Sequence, residues 1–451
     1  MEGRSESIAA GSDGRRSAGE GEGRVYFPGL DGLRAVAFAL VYGFHDRRLD
    51  LLNYVTSWVE IPLAMAVDPL LMRVGLPEVS FRLKNLLNRP FQTNGWVGVQ
   101  VFFALSGFLI TTLLIRERDR LGRVDLGAFW VRRALRIWPL YYLVVVIVFG
   151  LVPLPGIWGP MYVEHLPWFL GFLGNWSMVF RGPPPSDSIT ILWSVCVEEQ
   201  FYLFVPLLIA FVGPRWRIPV VSASIGLAVA NRYDMAAAGI VDVGLRYNSF
   251  ANLDTLLSGV LLALVARRFP SVVRPSWPWR MLVVAGGVVI ATKPLCRGGP
   301  WDMALGQVLI WAWALGVIVL ASDPTDRWTS CLRRPTFVWL GRISYGLYMY
   351  HEIAIGHVLR LGDWLPSFPD REFLLAVLGP SWTIALATAS YYGIERPFLR
   401  LKRRWTRVPS RPIDEGEGES DRAMAATGDR GHTEGDGPAP APDQPPALPL
   451  P

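Results

Sequence analysis

Charge-poor apolar runs recur along this chain at the length of a bilayer, and nothing else in the sequence constrains its fold as tightly. The stretches 96–115, 137–154, 191–212, 250–266, 304–321 and 372–394 carry few charges. Each is close to the roughly 20 residues that cross about 30 Å of hydrocarbon at about 1.5 Å per residue. One such run is equally well a buried helix, but six in 451 residues predict an integral membrane protein. Composition alone leaves a large apolar soluble enzyme open, because 51% apolar and 18% charged residues average the runs with polar tails.

Both ends read as such tails. Residues 1–24 are mostly Gly, Ser, Glu and Arg with no apolar h-region, which predicts a disordered cytosolic N-terminal tail and no cleavable signal peptide. Residues 408–451 turn acidic and then Pro/Ala-rich. That composition predicts a disordered cytosolic C-terminal tail, with no room for a second folded catalytic domain. The transmembrane domain is expected between them, over 25–407.

Arginines outnumber lysines 41 to 3, and their positions predict the topology. They cluster at Arg116 to Arg136, at Arg215 and Arg217, and over 267–280, 327–342 and 396–407. Placing every cluster in the cytoplasm makes the spans alternate. That assignment requires 166–180 (LPWFLGFLGNWSMVF), broken by Gly171, Gly174 and Asn175, to be re-entrant or interfacial. Segment 49–71, within a long outside loop over 46–95, carries Glu60, Pro62, Asp68 and Pro69 and reads as an interfacial helix. The expected fold is an all-α integral membrane protein with about ten transmembrane helices in one bundle and both termini cytoplasmic. The spans begin near Gly29, Trp96, Ile137, Ile191, Trp216, Phe250, Trp279, Ala304, Val338 and Glu372.

Ionisable residues inside spans are costly and are therefore candidates for function. In the first span, FPGLDGLRAVAFALVYGFHD, Arg34 and His45 are eleven residues apart. Eleven steps of about 100° put them on one helix face, roughly 16 Å apart along the axis. Histidine suits a general base because its ordinary pKa, about 6.5, leaves a neutral imidazole at cytoplasmic pH. Arginine stays charged and can hold a phosphate or carboxylate. The pair suggests group transfer from an anionic donor to an alcohol. The plainer alternative is an arginine reaching for headgroups and a histidine in the far interface.

Six ordered motifs, covering about residues 25–400, then resemble the acyltransferase-3 family of multi-pass membrane O-acyltransferases. They are Arg34 with His45, GWVGVQVFFALSGFLIT (95–111), FWVRRALRIWPLYY (129–142), LWSVCVEEQFYLFVPLL (192–208), GRISYGLYMYHEI (341–353) and ERPF (395–398). The resemblance implies transfer of an acetyl or other short acyl group from cytoplasmic acyl-CoA to a hydroxyl of a carbohydrate, glycolipid or secondary metabolite. It implies His45 as the catalytic residue, acting as base or as an acyl-histidine relay, with Arg34 as its partner. It also implies Arg132, Arg133 and Arg136 as the basic triplet that contacts the donor. Three arginines at a cytoplasmic mouth suit coenzyme A phosphates, and ordinary positive-inside anchoring explains them too.

Many family members have an acid where this chain has Gln100, so the charge that supports the base is expected from Glu198 or Glu199. A helix-tying ion pair is the alternative for these two. Gln100, Ser106, Trp193, Tyr202, Asp254, Ser344, Tyr348 and His351 are the expected substrate-binding residues. Of these, Ser106 beside Gly107 is read first as helix packing. Asn252 and Asp254 open the sixth span near an acceptor entrance, and Ser344, Tyr348 and His351 recur at helical spacing as a polar stripe. Tyr345 reads as interface aromatic, and Glu395 with Arg396 as a cap on the bundle.

Cys196, Cys296 and Cys331 show no paired spacing, and the five histidines form no HxxxH or HxxE set. Disulfide, zinc and redox chemistry are therefore not expected, and neither is a metal. Cys196 as an acyl-carrying nucleophile is a lesser alternative. No P-loop occurs, and the net charge of +6 is explained by anchoring, so nucleic acid is not implied. The arginine bias suggests a GC-rich bacterial genome and a place in the inner (cytoplasmic) membrane. A transporter or exporter of an acyl group or modified glycan, without catalysis, is the competing class. The Arg34 and His45 pair has no counterpart in the second half, which disfavours repeat-built transporters. A structural or sensor protein is a third reading.

Overall fold

A bilayer leaves backbone polar groups no water to bond, so a chain of apolar runs must satisfy them within helices. The computed structural model describes residues 27–46, 69, 91–151, 160–365 and 371–406. Among these every regular element is helical, with no strand. Both expected tails and, apart from Pro69, the interfacial helix expected over 49–71 lie outside the described residues.

The principal helices are α1 (Pro28–His45), α2 (Val97–Leu121), α3 (Leu126–Val146), α4 (Pro160–Leu170), α5 (Gly174–Arg181), α6 (Trp193–Phe211) and α7 (Pro214–Ala237). They are followed by α8 (Ser249–Arg268), α9 (Trp277–Thr292), α10 (Pro300–Ser322), α11 (Pro335–Arg342), α12 (Ser344–Asp363), α13 (Arg371–Ser390) and α14 (Arg396–Lys402). A π-helical turn extends α3 over Ile147–Leu151, and another joins α13 to α14 over Tyr391–Glu395.

Among the described residues, six helices are long and apolar enough to cross a membrane: Val97–Leu121, Leu126–Gly150, Asp187–Phe211, Ser249–Arg268, Pro300–Ser322 and Phe373–Lys402. They coincide with the six apolar runs and make this a multi-pass membrane protein. The other four expected crossings are helical too, but differ in kind. The apolar helix α9 has only 16 residues. Helices α1, α7 and α12, with 18, 24 and 20 residues, are long enough but carry ionisable groups that lower their hydropathy. The central post is α2, with 72% of its apolar window buried against 33% for Phe373–Lys402.

Two boundaries differ from expectation. The helix expected to begin near Ile137 begins at Leu126, because the Asp125 carboxylate accepts from Ala128 N at 3.0 Å and caps the new terminus. Arg132, Arg133 and Arg136 therefore lie within α3 rather than ahead of it. The helix expected near Val338 breaks at Ile343 into α11 and α12.

Segment 166–180 is a broken hairpin. Helices α4 and α5 have 11 and 8 residues, roughly 16 and 12 Å, so neither crosses about 30 Å of hydrocarbon. They meet at Phe172, whose φ of 55° is a left-handed value costly for a side chain that size. Side-chain bonds hold that turn in place: Gln200 Nε2 donates to Phe172 O at 2.9 Å and Tyr141 Oη to Phe169 O at 2.8 Å.

Close backbone approach fixes the core, as expected where lipid removes the hydrophobic drive between helices. A Cβ on Gly107 would sit 2.1 Å from Leu256 O, and one on Gly259 would sit 2.1 Å from Ala104 O. Each glycine thus admits the other helix of the α2–α8 pair. The packing reading of Ser106 and Gly107 holds for Gly107, while Ser106 beside it is turned to another partner.

Candidate active site

The C-terminal turn of α1 meets the middle of α12. His45 Nδ1 lies 2.9 Å from Val41 O, a carbonyl that can only accept, so this nitrogen donates, and in the neutral ring the lone pair is on Nε2. Nε2 faces Glu352 Oε1 at 3.8 Å, and the His45 and His351 rings meet edge-on with centroids 4.9 Å apart. Glu352 is buried and His45 is partly open, with its side chain 27% exposed. The acid beside the candidate base is therefore Glu352, a residue the sequence reading passed over, rather than Glu198 or Glu199.

Nearer the start of α1, Arg34 donates to Asp31 Oδ1 at 2.8 Å. The same guanidinium is within electrostatic reach of Glu198, as is that of Arg133. Glu198 accepts from Ser106 Oγ at 2.8 Å and from Tyr202 Oη at 2.9 Å. Four expected site residues, Arg34, Ser106, Glu198 and Tyr202, are thus brought together with Arg133. Glu199 points elsewhere, to Trp138 Nε1 at 2.9 Å. Adjacent residues on one helix diverge by about 100°, and this pair does so.

The three triplet arginines differ in what they hold. Arg132 donates to Glu117 Oε2 and to Trp405 O, each at 2.7 Å, in a pair whose side chains are 10% and 4% exposed. Arg136 faces Glu395 Oε2 at 3.4 Å and lies over the Tyr345 ring. Arg133 packs over Phe129, and its Nε is buried with no hydrogen-bond partner among the described residues. It is the triplet member not committed to a carboxylate.

The remaining expected residues go to other places. Gln100 accepts from Gln307 Nε2 at 2.8 Å and lies 3.4 Å from Asn252 Oδ1, in a buried polar network that includes Thr255. Asp254 has no exposed surface and faces Arg232 of α7 at 3.8 Å, so it lines no opening here. Trp193 packs edge-on against Phe103 and Tyr247. Tyr348 Oη meets Ser194 Oγ at 2.7 Å and donates to Ile191 O at 2.9 Å. His351 Nδ1 lies 2.6 Å from Tyr348 O. Ser344 is buried at the break before α12. Tyr345 donates to Ile137 O at 2.9 Å, joining α12 to α3. Cys196 is enclosed completely, with Tyr141 Oη at 3.4 Å, a poor position for an acyl carrier.

Glu352, Asp31, Glu117 and Glu395 are the partners that sequence reasoning missed or read only as caps. Each is an acid within or at the end of an apolar helix, and an acid there needs a named partner.

The sequence is similar to that of known proteins. The model of a family described as an acyltransferase domain matches residues 27–392. The peptidoglycan O-acetyltransferase OatA of Listeria monocytogenes is 27% identical over 403 residues, covering 84% of this chain and 56% of that protein. The O-acetyltransferase OatA of Staphylococcus aureus is 27% identical over 398 residues, covering 83% and 57%. The chain thus spans less than three fifths of the length of these relatives. No solved structure matches it.

Proposed function

The chain belongs to the acyltransferase domain family, whose model takes in residues 27–392, and from that premise we propose that it is a membrane O-acyltransferase. The donor is cytoplasmic acyl-CoA carrying an acetyl or other short acyl group. The acceptor is a hydroxyl on a carbohydrate, glycolipid or secondary metabolite; the named relatives, one of them a peptidoglycan O-acetyltransferase, favour a cell-envelope glycan. Ten crossings with cytoplasmic termini in the inner membrane complete the reading.

The observation that carries it is the placement of His45: Nδ1 bonds Val41 O, which in the neutral ring leaves the lone pair on Nε2, 3.8 Å from Glu352 Oε1. In the reaction, Nε2 takes the acceptor's hydroxyl proton while that oxygen attacks the thioester carbonyl. The tetrahedral adduct then collapses, the C–S bond breaks, and the imidazolium returns the proton to the leaving thiolate. Glu352 supports the charge on the ring during the proton's stay. Arg133 takes the donor's phosphates, while Arg132 and Arg136, paired with Glu117 and Glu395, hold α3 in position to present it. Holding both substrates at one buried site supplies much of the rate.

The test is release of free CoA from labelled acyl-CoA by the purified chain with a glycan acceptor. Wild-type protein should release CoA, and His45→Ala, folded to the same melting temperature, should lose the activity. A carrier without chemistry releases none, and a His45→Ala protein at the wild-type rate removes the proposed base.

A further inference from the structure

The histidines that form no metal-binding spacing in sequence converge in space. His45 on α1 and His351 with Glu352 on α12 offer three ligand atoms that all lie within 4.8 Å of one another. The chemistry of those atoms is specific. Each imidazole spends Nδ1 on a carbonyl of its own helix, Val41 O at 2.9 Å and Tyr348 O at 2.6 Å. In the neutral rings the lone pairs are therefore on the two Nε2 atoms. Metal-bound histidines characteristically hold their other N–H against a carbonyl or carboxylate in this way, which fixes the tautomer and aims the ring.

His351 supplies a second, independent sign. Its Nε2 is fully buried and has no hydrogen-bond partner among the described residues, a costly state for an acceptor unless something electropositive fills the space. Two imidazole nitrogens and one carboxylate form a set suited to Zn2+ and its neighbours, whereas Ca2+ and Mg2+ prefer all-oxygen shells.

We propose that His45 Nε2, His351 Nε2 and Glu352 form a binding site for a divalent transition cation of the Zn2+ type. Ligand atoms about 2.0–2.1 Å from a tetrahedral ion stand roughly 3.4 Å apart. The His45 to Glu352 separation of 3.8 Å is close to that value already. His45, the more exposed member, closes the rest. The site also departs from the expectation that this chain holds no metal.

One consequence rests on the proposed base. The lone pair that binds the cation is the one that would take the acceptor's proton, so a bound cation and base catalysis exclude each other. Zn2+ then acts as a reversible inhibitor at the centre of the site.

The experiment uses the full chain in detergent with Cys331→Ser, which removes an exposed thiol that would bind zinc by itself. Protein stripped with chelator is loaded with Zn2+, desalted and analysed for zinc per chain; affinity follows from competition with a chromophoric chelator. One zinc per chain is expected. His351→Gln and Glu352→Gln, each checked for a monodisperse peak, should weaken binding by more than the roughly 100-fold that losing an outer-shell partner costs. Co2+ on the unaltered site should give the visible bands of a four-coordinate N/O site, a readout that needs no variant. No retained zinc, retention unchanged in both variants, or octahedral Co2+ bands overturn the site. CoA release should fall in proportion to occupancy and return with chelator, and a rise with occupancy overturns the exclusion. If neither metal-free nor zinc-loaded protein releases CoA while the stoichiometry stands, the acyltransferase reading fails and the metal site survives.

Discussion

Replacing Glu352 with Gln keeps the shape of the side chain and removes its charge, which isolates what the carboxylate does for His45. With a neutral ring the pair has little to exchange; when Nε2 takes a proton, two unit charges stand 3.8 Å apart. At an effective dielectric of about 20 that attraction is roughly 4 kcal/mol. With the proton about half transferred in the transition state, roughly half of it, about 2 kcal/mol, is lost in the variant. This corresponds to about 30-fold in kcat/KM. The assay is thiol release from acyl-CoA by purified protein, with KM for the donor expected to be unchanged, because the proposed site for the donor's phosphates is on α3. The control is a double-mutant cycle: in a His45→Ala background Glu352→Gln should cost almost nothing further, since there is no base left to support. Glu352→Asp should recover part of the loss. A Glu352→Gln enzyme within threefold of wild type, or an equal loss in both backgrounds, refutes the assignment.

The arginine triplet should divide. Arg133→Ala is expected to raise KM for acyl-CoA about tenfold or more while leaving the melting temperature in place. Arg132→Ala strands Glu117, 4% exposed, and should cost roughly 3–5 kcal/mol of stability in thermal unfolding. Gly259→Val should yield little folded protein, because even a Cβ would stand 2.1 Å from Ala104 O. Gly226→Ala, on α7 with nothing within 4 Å, should be neutral or stabilise by up to about 1 kcal/mol when both are compared by recovery of monodisperse protein.

Hydropathy made most of the helices legible, since a run of apolar residues is a local property. The six strongest runs are six long helices, and even the weaker segments at Gly29, Trp216 and Trp279 begin within two residues of where helices begin. The boundary at Leu126 was hidden because its signal is a capping carboxylate, Asp125, ahead of a basic stretch that reads as loop. The site was half legible for a related reason. Arg34 and His45 share one helix, so periodicity aligns them, whereas the His45 to Glu352 approach joins residues more than three hundred positions apart. The even look of Arg132, Arg133 and Arg136 in sequence likewise conceals that two have carboxylate partners on other helices.

The same logic separates folding from function at Asp254, expected from sequence at an acceptor entrance. The three long helices that hydropathy leaves out, α1, α7 and α12, carry charges that pair across the bundle, and Arg232 of α7 with Asp254 of α8 is the most enclosed such pair, its side chains 6% and 0% exposed. Removing one member strands a buried charge and should cost roughly 3–5 kcal/mol, while replacing both with apolar residues of similar volume should be nearly neutral. Asp254→Leu alone should therefore lower the melting temperature and the yield. Arg232→Met combined with Asp254→Leu should restore stability and, if the pair only ties α7 to α8, restore acyl transfer with an unchanged KM for the acceptor. A double variant that is as stable as wild type yet shows a raised acceptor KM would return Asp254 to the substrate path, because stability would then no longer account for the loss.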